Sequence, residues 1–422
     1  MSSWNRRGYA AIPIYTRGVI HLDHNATTQP SPGVVEAMTD ALTRLWANPS
    51  SIHRAGQEVK NALELARKDV AALVGARPKE IVFASGGTES ICLAVRGVLA
   101  NTDRRVVVTS QVEHAAVKRL IQDLENRGCI EARWAPVDRR GAVKTEAIDE
   151  MIDNDVALVS VMWSNSETGA VQPVGAISRL CRDRGVPFHC DGTPWVGKMP
   201  VDVGTAHREG GIEDPTDEQA NLGACIDLLT FSAHKFHGPK GIGALWVRPK
   251  SWKVHPQQLG SQELGRRGGT ENVPGIIGIG AAAREATKWL ADPAQIAERT
   301  ALRDRFESRI LQACREAVIN GSTEPGARIW NTSNIGFPRL ENEAIVMMLS
   351  ERGLCASAGS ACSSGSLEPS PVLAAMGVPE PIAKGSLRFS LSKHTTTDEI
   401  DRAAAVIGEC VAALRASTSV SA

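Results

Sequence analysis

Residues 81–90 of the chain read Ile81-Val82-Phe83-Ala84-Ser85-Gly86-Gly87-Thr88-Glu89-Ser90. The first four residues form a short apolar run that is typical of a buried strand, and a helix-like pattern begins at Thr88. The glycines between them let the backbone approach an anion, and free N–H groups at the start of a helix attract phosphate. The segment therefore predicts a strand, a phosphate-binding turn and a helix, with a simple N-capped turn as the alternative.

The same alternation of strand and helix patterns continues along the chain. Further strand-like runs occur at 105–108, 132–137, 157–162, 188–190 and 228–231. This order predicts a mainly parallel sheet with helices on both faces. Because ligands bind beyond the carboxyl ends of such strands, the polar residues that follow each strand are the first candidates for a site.

Composition narrows the class of protein. The 422 residues suggest roughly two to three domains of about 150 residues each. Lys+Arg and Asp+Glu balance at 47 each, which gives no indication of a nucleic-acid or membrane partner. Nine cysteines without a C-x-x-C pair argue against a disulfide framework and a zinc site, and they predict a reducing, cytoplasmic compartment. No metal is expected.

Two charged residues at predicted strand ends suggest a cofactor. Lys235 closes the segment Ser232-Ala233-His234-Lys235, where an amine could form a Schiff base. Asp191 follows another strand and could pair with the ring nitrogen of pyridoxal 5′-phosphate (PLP). The alternatives are a surface lysine and a turn aspartate.

Three further residues could complete such a site. His114 stands where a strand gives way to a helix, so it could stack on a cofactor ring or move protons, or simply cap the helix. Arg388 is a lone cation in a strand-like run and could bind a carboxylate, or form a surface ion pair. Cys362 lies among small polar residues, as an accessible nucleophile would, or it is one more structural cysteine.

Several segments together resemble one known family. They are Leu22-Asp23-His24-Asn25-Ala26-Thr27-Thr28, Asn48-Pro49-Ser50-Ser51-Ile52-His53, the segment from Ser85 to Ser90, Ser232 to Lys235 with Gly238-Pro239-Lys240-Gly241, Arg267-Gly268-Gly269-Thr270-Glu271-Asn272, and the stretch from Ser360 to Ser370. In these segments the chain resembles the cysteine desulfurases of the NifS/IscS type, in the class-V aminotransferase group.

The resemblance implies an α/β fold of PLP fold type I, like that of aspartate aminotransferase. It implies a large PLP-binding domain with a mainly parallel sheet over residues 19–275 and a smaller α+β domain with the cysteine loop over 276–415. Residues 1–18 are expected to be an extension and 416–422 a disordered tail. A homodimer is also implied.

The resemblance also implies residue roles. Lys235 would hold PLP as a Schiff base, and Cys362 would take sulfur from L-cysteine as a persulfide, release L-alanine and pass the sulfur to an acceptor protein for Fe–S or thio-modification pathways. The other implied cofactor contacts are Asp191, Gly87, Thr88, Ser232, His234, His114 (also catalytic), Ser166 and, from the neighbouring subunit, Thr270. The implied substrate contacts are Arg388, Asn25 and Ser166.

The chain departs from the family pattern in three places. Ser166 replaces an Asn and Pro194 replaces a Gln, so two hydrogen bonds near the cofactor's phenolic oxygen are lost. We hypothesise a shifted pKa of the Lys235 Schiff base and weaker or specialised activity. The segment Thr205–Gly223 is longer than in the family and is interpreted as a peripheral loop. The competing hypotheses are a selenocysteine or C–S lyase and a non-enzymatic scaffold.

Overall fold

The computed structural model describes residues 18–204, 225–249, 253–359 and 369–420. Three sequence predictions lie outside the described residues: most of the N-terminal extension, the Thr205–Gly223 segment and the nucleophile candidate Cys362. The helices are α1 (Pro32–Arg44), α2 (Arg54–Leu73), α3 (Gly87–Leu99), α4 (Ala115–Asn126), α5 (Thr145–Met151), α6 (Val174–Asp183), α7 (Val273–Leu290), α8 (Ala294–Ala313), α9 (Asn342–Glu351), α10 (Pro371–Ala375), α11 (Glu380–Ala383) and α12 (Thr397–Val420). The strands are β1 (Ile20–His21), β2 (Ile81–Ala84), β3 (Val106–Ser110), β4 (Glu131–Ala135), β5 (Val156–Met162), β6 (Phe188–Asp191), β7 (Leu228–Ser232), β8 (Gly243–Val247), β9 (Val318–Ile319), β10 (Thr332–Gly336), β11 (Leu354–Cys355) and β12 (Ser386–Ser390).

A seven-stranded sheet forms the centre of the molecule, in the order β2-β8-β7-β6-β5-β3-β4. The pairs from β7 through to β4 are parallel, as the alternation of strands and helices predicts. Strand β8 is antiparallel to both of its neighbours, because the short link from β7 carries the chain straight back along the sheet instead of over a crossover helix. The prediction of a mainly parallel α/β sheet is confirmed.

Both faces of this sheet are buried. Along β3, Val107 packs into a cluster with α3 and α4, whereas Val106 and Val108 belong to the larger core on the opposite face. Side chains alternate between the two faces of a strand, so a strand that is covered on both sides needs apolar residues at every position. This explains why the strands appear in the sequence as unbroken apolar runs.

A smaller sheet is formed by strands that come after the large sheet in the sequence. Strands β12, β10 and β9 form an antiparallel sheet, which packs against α8 and α9. The short strand β1 pairs with β11, and Asp23 forms a bridge with Ser390 of β12. These pairings bring the N-terminal segment 23–28 to the carboxyl edge of the large sheet, where the candidate site lies.

Two helices span positions at which a boundary is predicted, and the division into domains stays a prediction. Helix α7 crosses the predicted domain boundary at residue 275 and packs against α1 and α2, because its small residues allow close helix contact. Helix α12 continues to Val420, so the tail that was expected to be disordered from residue 416 is helical to that point. Ala412, Ala413 and Leu414 are strong helix formers and favour this continuation. Among the described residues, no helix combines the length and apolar character needed to cross a bilayer.

Candidate active site

A cavity of about 260 Å³ opens at the carboxyl ends of the parallel strands. The structure brings most of the predicted site residues to its wall: Asn25, Gly87, Thr88, His114, Ser166, Asp191, Ser232, His234, Lys235 and Arg388. Thr270 does not line this cavity; it is exposed beside Gly269 and Glu271 in a separate cleft. Cys362 lies outside the described residues.

The start of α3 forms an open cradle at one end of the cavity. Gly86 stands at the N-cap position, as a simple N-capped turn also requires, but it has no side chain to occupy the N–H groups of the first turn. An added Cβ at Gly87 would lie 3.1 Å from Thr193 Oγ1, which leaves little room for any other residue. The helix start therefore presents N–H groups with a positive partial charge to a cavity that also contains the Thr88 hydroxyl.

Lys235 projects from the turn after β7 and is half-buried in the cavity wall, so it is not a surface lysine. Its Nζ donates to the carbonyl oxygens of Asn25 at 2.5 Å and Ala26 at 3.0 Å. The Thr28 hydroxyl and N–H hold the same segment against the carbonyl of His234. These contacts hold the amine at the cavity wall, beside Asn25 and Ala26.

Asp191 ends β6 and is 2% exposed. Its Oδ1 accepts hydrogen bonds from Thr193 N at 3.0 Å and from Thr230 Oγ1 at 3.3 Å. Because the Thr230 hydroxyl proton is directed to Asp191, its oxygen accepts from His189 Nε2 at 3.1 Å, and Ser160 Oγ donates to His189 Nδ1 at 2.8 Å. A buried chain of four side chains therefore fixes the orientation of this carboxylate.

His189 is a functional candidate that sequence reasoning missed. Burial lowers its pKa to about 4, so it is a neutral ring at physiological pH. A neutral imidazole has one donor and one acceptor nitrogen, as the chain through Thr230 and Ser160 requires. His189 lies within an apolar strand, and no pattern of polar residues around it in the sequence could have identified it.

His114 caps α4, which is one of its predicted roles, and also lines the cavity. Its stacking on a cofactor ring stays a prediction. Its Nδ1 accepts a hydrogen bond from Ala116 N at 3.1 Å, which places the ring proton of a neutral imidazole on Nε2. Burial lowers the pKa of His114 and favours this neutral form. The residue therefore presents a fixed aromatic face and one N–H group.

Arg388 is 3% exposed and points into the cavity, so the alternative of a surface ion pair is wrong. Its Nη2 donates to Asp23 Oδ1 at 2.7 Å and its Nη1 to the carbonyl oxygen of Ser166 at 3.2 Å. Its Nε has no hydrogen-bond partner among the described residues. The guanidinium is therefore held in place on one side and keeps donor capacity for a carboxylate.

The side-chain amide of Asn25 is fully used within the protein. Its Oδ1 accepts from Lys198 Nζ at 3.1 Å and Asn331 Nδ2 at 2.9 Å, while its Nδ2 donates to the Ser166 carbonyl and to Thr332 Oγ1. This arrangement favours a positioning role between the small sheet and the cavity. Direct contact of Asn25 with a substrate stays a prediction.

Lys198 is a second buried amine in the cavity wall, and sequence reasoning missed it. Burial, and then the charges of Lys235 and Arg388, lower its pKa to about 7. Most lysines are exposed, so nothing in the local sequence distinguishes this one. The cavity wall therefore carries the basic side chains of Lys198, Lys235 and Arg388 beside the acidic residues Glu113, Glu167 and Asp191.

The described residues on either side of the segment that contains Cys362 lie beside this cavity. On one side, Ser357 pairs with Arg388 through both main-chain hydrogen bonds. On the other side, Ser370 Oγ donates to Glu167 Oε2 at 2.5 Å, and Glu167 lines the cavity. The ends of the cysteine segment are thereby fixed next to the candidate site.

The residues in the cavity fit PLP. The cofactor needs an anion site for its phosphate, an amine for its aldehyde and an acid for its ring nitrogen, and the cradle at Gly87, Lys235 and Asp191 offer these groups. Thr193 Oγ1 is buried in the same wall and has no partner among the described residues, as expected of a polar atom that awaits a ligand.

Comparisons with known proteins agree with this geometry. The aminotransferase class-V family model matches residues 20–207 and 218–403. A cysteine desulfurase from Nostoc sp. is 43% identical over 94% of both chains, and the cysteine desulfurase NifS of Azotobacter vinelandii is 41% identical over 94% of this chain and 93% of its own.

Solved structures give the same result. A NifS-like protein matches with a TM-score of 0.82 and 32% identity over 94% of this chain and 100% of its own. SspA in complex with cysteine matches with a TM-score of 0.74 and 30% identity over 89% of this chain and 99% of its own. The chain therefore belongs to the class-V aminotransferase family and, within it, to the cysteine desulfurases of the NifS type.

Proposed function

We propose that this chain is a PLP-dependent cysteine desulfurase that converts L-cysteine to L-alanine and holds the sulfur as a persulfide on Cys362. The observation that carries the proposal is the arrangement of Lys235, Asp191 and Arg388 around one cavity in a chain of this family. PLP, when bound, supplies an electron sink that stabilises negative charge at the substrate α-carbon.

The protein's contribution to the cofactor begins with Asp191. Two donors hold this carboxylate, and the neutral His189 stands behind one of them, so its oxygen atoms have a fixed direction before any ligand arrives. Preorganised charge of this kind needs no rearrangement during the reaction. Gly87, Thr88, Ser232 and His234 would surround the phosphate, and His114 would cover the ring.

Two groups can carry protons in the cavity. His114 holds a proton on Nε2, and the amine of Lys235 lies beside carbonyl acceptors that keep it in position. The substrate must lose a proton from its α-carbon, gain one at its β-carbon and regain the α-proton to become L-alanine, so we assign these transfers to the two side chains.

Substrate orientation is assigned to Arg388. Its contacts with Asp23 and the Ser166 carbonyl fix the guanidinium plane, and a fixed fork can bind a carboxylate through two parallel hydrogen bonds. The neighbouring Lys198, whose pKa is lowered to about 7 by burial, adds positive charge near Arg388 when it is protonated. The selection of an α-amino acid then follows from a carboxylate at Arg388 and an amine at the cofactor.

The sulfur transfer step is assigned to Cys362. Its thiolate attacks the substrate sulfur, so an S–S bond forms as the C–S bond breaks, and the β-carbon takes up a proton to give alanine. The net change is L-cysteine plus Cys362 thiol to L-alanine plus Cys362 persulfide, with no external oxidant. A thiol of an acceptor protein then takes the outer sulfur.

The assembly is proposed to be a homodimer in which Thr270 reaches the phosphate site of the neighbouring subunit. Thr270 is exposed and lies outside the cavity of its own chain. Trp46 and Ile52 are 81% and 95% exposed, and Leu264 is 74% exposed. Leu264 lines the same cleft as Pro49, which lies between Trp46 and Ile52 in the sequence. Exposed apolar side chains in adjacent segments are typical of a subunit interface.

A reducing compartment is also proposed, namely the cytoplasm. Each cysteine in the described part of the chain is a free thiol, which is typical of proteins kept in a reducing environment. The two-domain division and a peripheral role for Thr205–Gly223 remain predictions.

The test is alanine formation from L-cysteine by the full-length, PLP-loaded protein beside Cys362→Ala. Cys129→Ser is the matched control, because Cys129 is also a free thiol but is exposed on the α4–β4 link. We expect alanine from the parent and from Cys129→Ser but none above background from Cys362→Ala. A persulfide on the parent, detected by mass after alkylation, completes the result.

Other outcomes identify the competing functions. Alanine from Cys362→Ala as well as from the parent would indicate a lyase that does not need this thiol, and a preference for L-selenocysteine would identify its substrate. No alanine from any variant, with PLP still bound, would favour a scaffold without activity.

A further inference from the structure

Glu113 is a buried carboxyl group in the cavity wall that the proposed mechanism does not use. It follows β3 and is 3% exposed. Its Oε1 accepts two hydrogen bonds, from Ser110 Oγ at 2.6 Å and from Met162 N at 2.9 Å. Its Oε2 is buried and has no hydrogen-bond partner among the described residues. One oxygen therefore accepts two hydrogen bonds, and the other is buried without a hydrogen-bond partner among the described residues.

Glu113 and Asp191 flank the end of the strand between them. Met162 of β5 donates its N–H to Glu113 and pairs in register with Asp191 of β6. Two donors reach Oδ1 of Asp191 and two reach Oε1 of Glu113, but among the described residues only Glu113 has a second oxygen that is buried without a hydrogen-bond partner. A carboxylate with one unsolvated oxygen is costly in a protein interior, so of these two groups Glu113 is the better site for a proton.

The charges around Glu113 support this assignment. Lys118 faces it from α4, but the Lys118 Nζ donates to the Gln111 carbonyl at 2.8 Å, and the adjacent His114 is neutral. Burial raises the pKa of Glu113 to about 8 against the opposing hydrogen bonds from Ser110 and Met162. The charge of Asp191 adds a smaller rise, and the charge of Lys118 opposes it least. Two carboxyl groups at one site separate into one acid and one anion when their surroundings differ in this way.

We propose that Glu113 holds a proton on Oε2 and thereby leaves Asp191 as the charged member of the pair. Glu113 is then a positioning residue: it fixes the end of β5 through Oε1 and keeps a second negative charge away from the carboxylate that faces the cofactor. The functional meaning rests on the proposed PLP chemistry, but the location of the proton does not.

Infrared spectroscopy of the full-length protein tests the proton directly. We expect a carbonyl band of a neutral carboxylic acid near pH 6, shifted by ¹³C-labelled glutamate, absent from Glu113→Gln and lost on raising the pH through about 8. Glu89→Gln is the matched control, because Arg267 pairs with Glu89 and lowers its pKa, so that substitution should remove no such band. If the bands that shift with ¹³C-labelled glutamate at pH 6 are all those of ionised carboxylates, the proposal is overturned. This result is obtained on the parent protein and needs no variant.

The coupling to Asp191 has its own readout. Asp191→Asn removes a charge and preserves the shape of the side chain, so the pH midpoint of the Glu113 band should move down, whereas Glu89→Gln should leave it in place. An unchanged midpoint in Asp191→Asn would show that the charge of Asp191 does not affect the protonation of Glu113. Because these measurements do not use alanine formation, they can succeed even where the proposed desulfurase activity fails.

Discussion

Substitution of Thr230 by Val tests the buried chain that holds Asp191. Valine matches threonine in shape and strand preference, so the change removes only the hydroxyl between His189 and Asp191. A hydrogen bond to a charged group contributes about 1.5–3 kcal/mol, and an unsatisfied buried donor costs about 1–3 kcal/mol. Since the bond to Asp191 is long at 3.3 Å, we expect the free energy of unfolding to fall by roughly 2–4 kcal/mol.

Thr109 supplies a matched control. It is fully buried in β3 of the same sheet, but its hydroxyl has no partner among the described residues. Thr109→Val should therefore change the free energy of unfolding by no more than about 1 kcal/mol, in either direction.

Urea denaturation of both variants, followed by tryptophan fluorescence, gives the two free energies of unfolding, and the slope should stay constant if only stability changes. The loss in Thr230→Val should be present without added cofactor, because the contacts are internal to the protein. A Thr230→Val protein no less stable than Thr109→Val would refute the idea that this hydroxyl links His189 to Asp191.

Two further predictions concern charge. Asp23→Asn should raise the KM for L-cysteine by about tenfold and change kcat less, because a neutral partner orients Arg388 less firmly and weakens substrate binding by roughly 1.4 kcal/mol. Steady-state kinetics check this, and an unchanged KM would contradict it. Burial lowers the pKa of His24 to about 3 and those of His189, His234 and His237 to about 4, from an ordinary value of 6.5. The unfolded chain therefore binds more protons below pH 6.5, so stability should fall between about pH 6.5 and 4; urea midpoints across that range check it, and a flat profile would count against neutral buried rings.

The sheet and the main site residues could be predicted because they depend on local patterns. Apolar runs separated by helix periodicity identify parallel strands, and a residue that follows a strand must lie at the carboxyl edge. Asp191, Lys235 and His114 were located by that rule alone. The family resemblance added roles to these residues but did not change their positions.

The supporting residues could not be predicted, because their roles depend on neighbours that only the fold provides. Lys198 contacts distant parts of the chain, because its carbonyl accepts from Trp330 Nε1 and its Nζ donates to Asn25 Oδ1. Glu113 acquires its environment from β5, far along the sequence. In both residues the sequence pattern is that of an ordinary exposed charge, and tertiary packing alone makes them unusual.

The residue replacements at positions 166 and 194 affect the cavity more than the scaffold. Ser166 holds Arg388 and Asn25 through its main-chain carbonyl, which any residue type would supply. The turn around it is fixed by Asn165, whose Oδ1 accepts from the N–H groups of Glu167 and Thr168.

Pro194 is tolerated for a similar reason. Asp191 Oδ1 accepts from Thr193 N, and the Gly192 carbonyl accepts from the N–H groups of Trp195 and Val196, so the turn does not depend on a donor at position 194. Neither replacement removes a contact that builds the fold. Any effect of the two on activity must therefore arise at the cavity wall, where the lost side chains would have met the cofactor, and the intact scaffold gives no independent support to a non-enzymatic role.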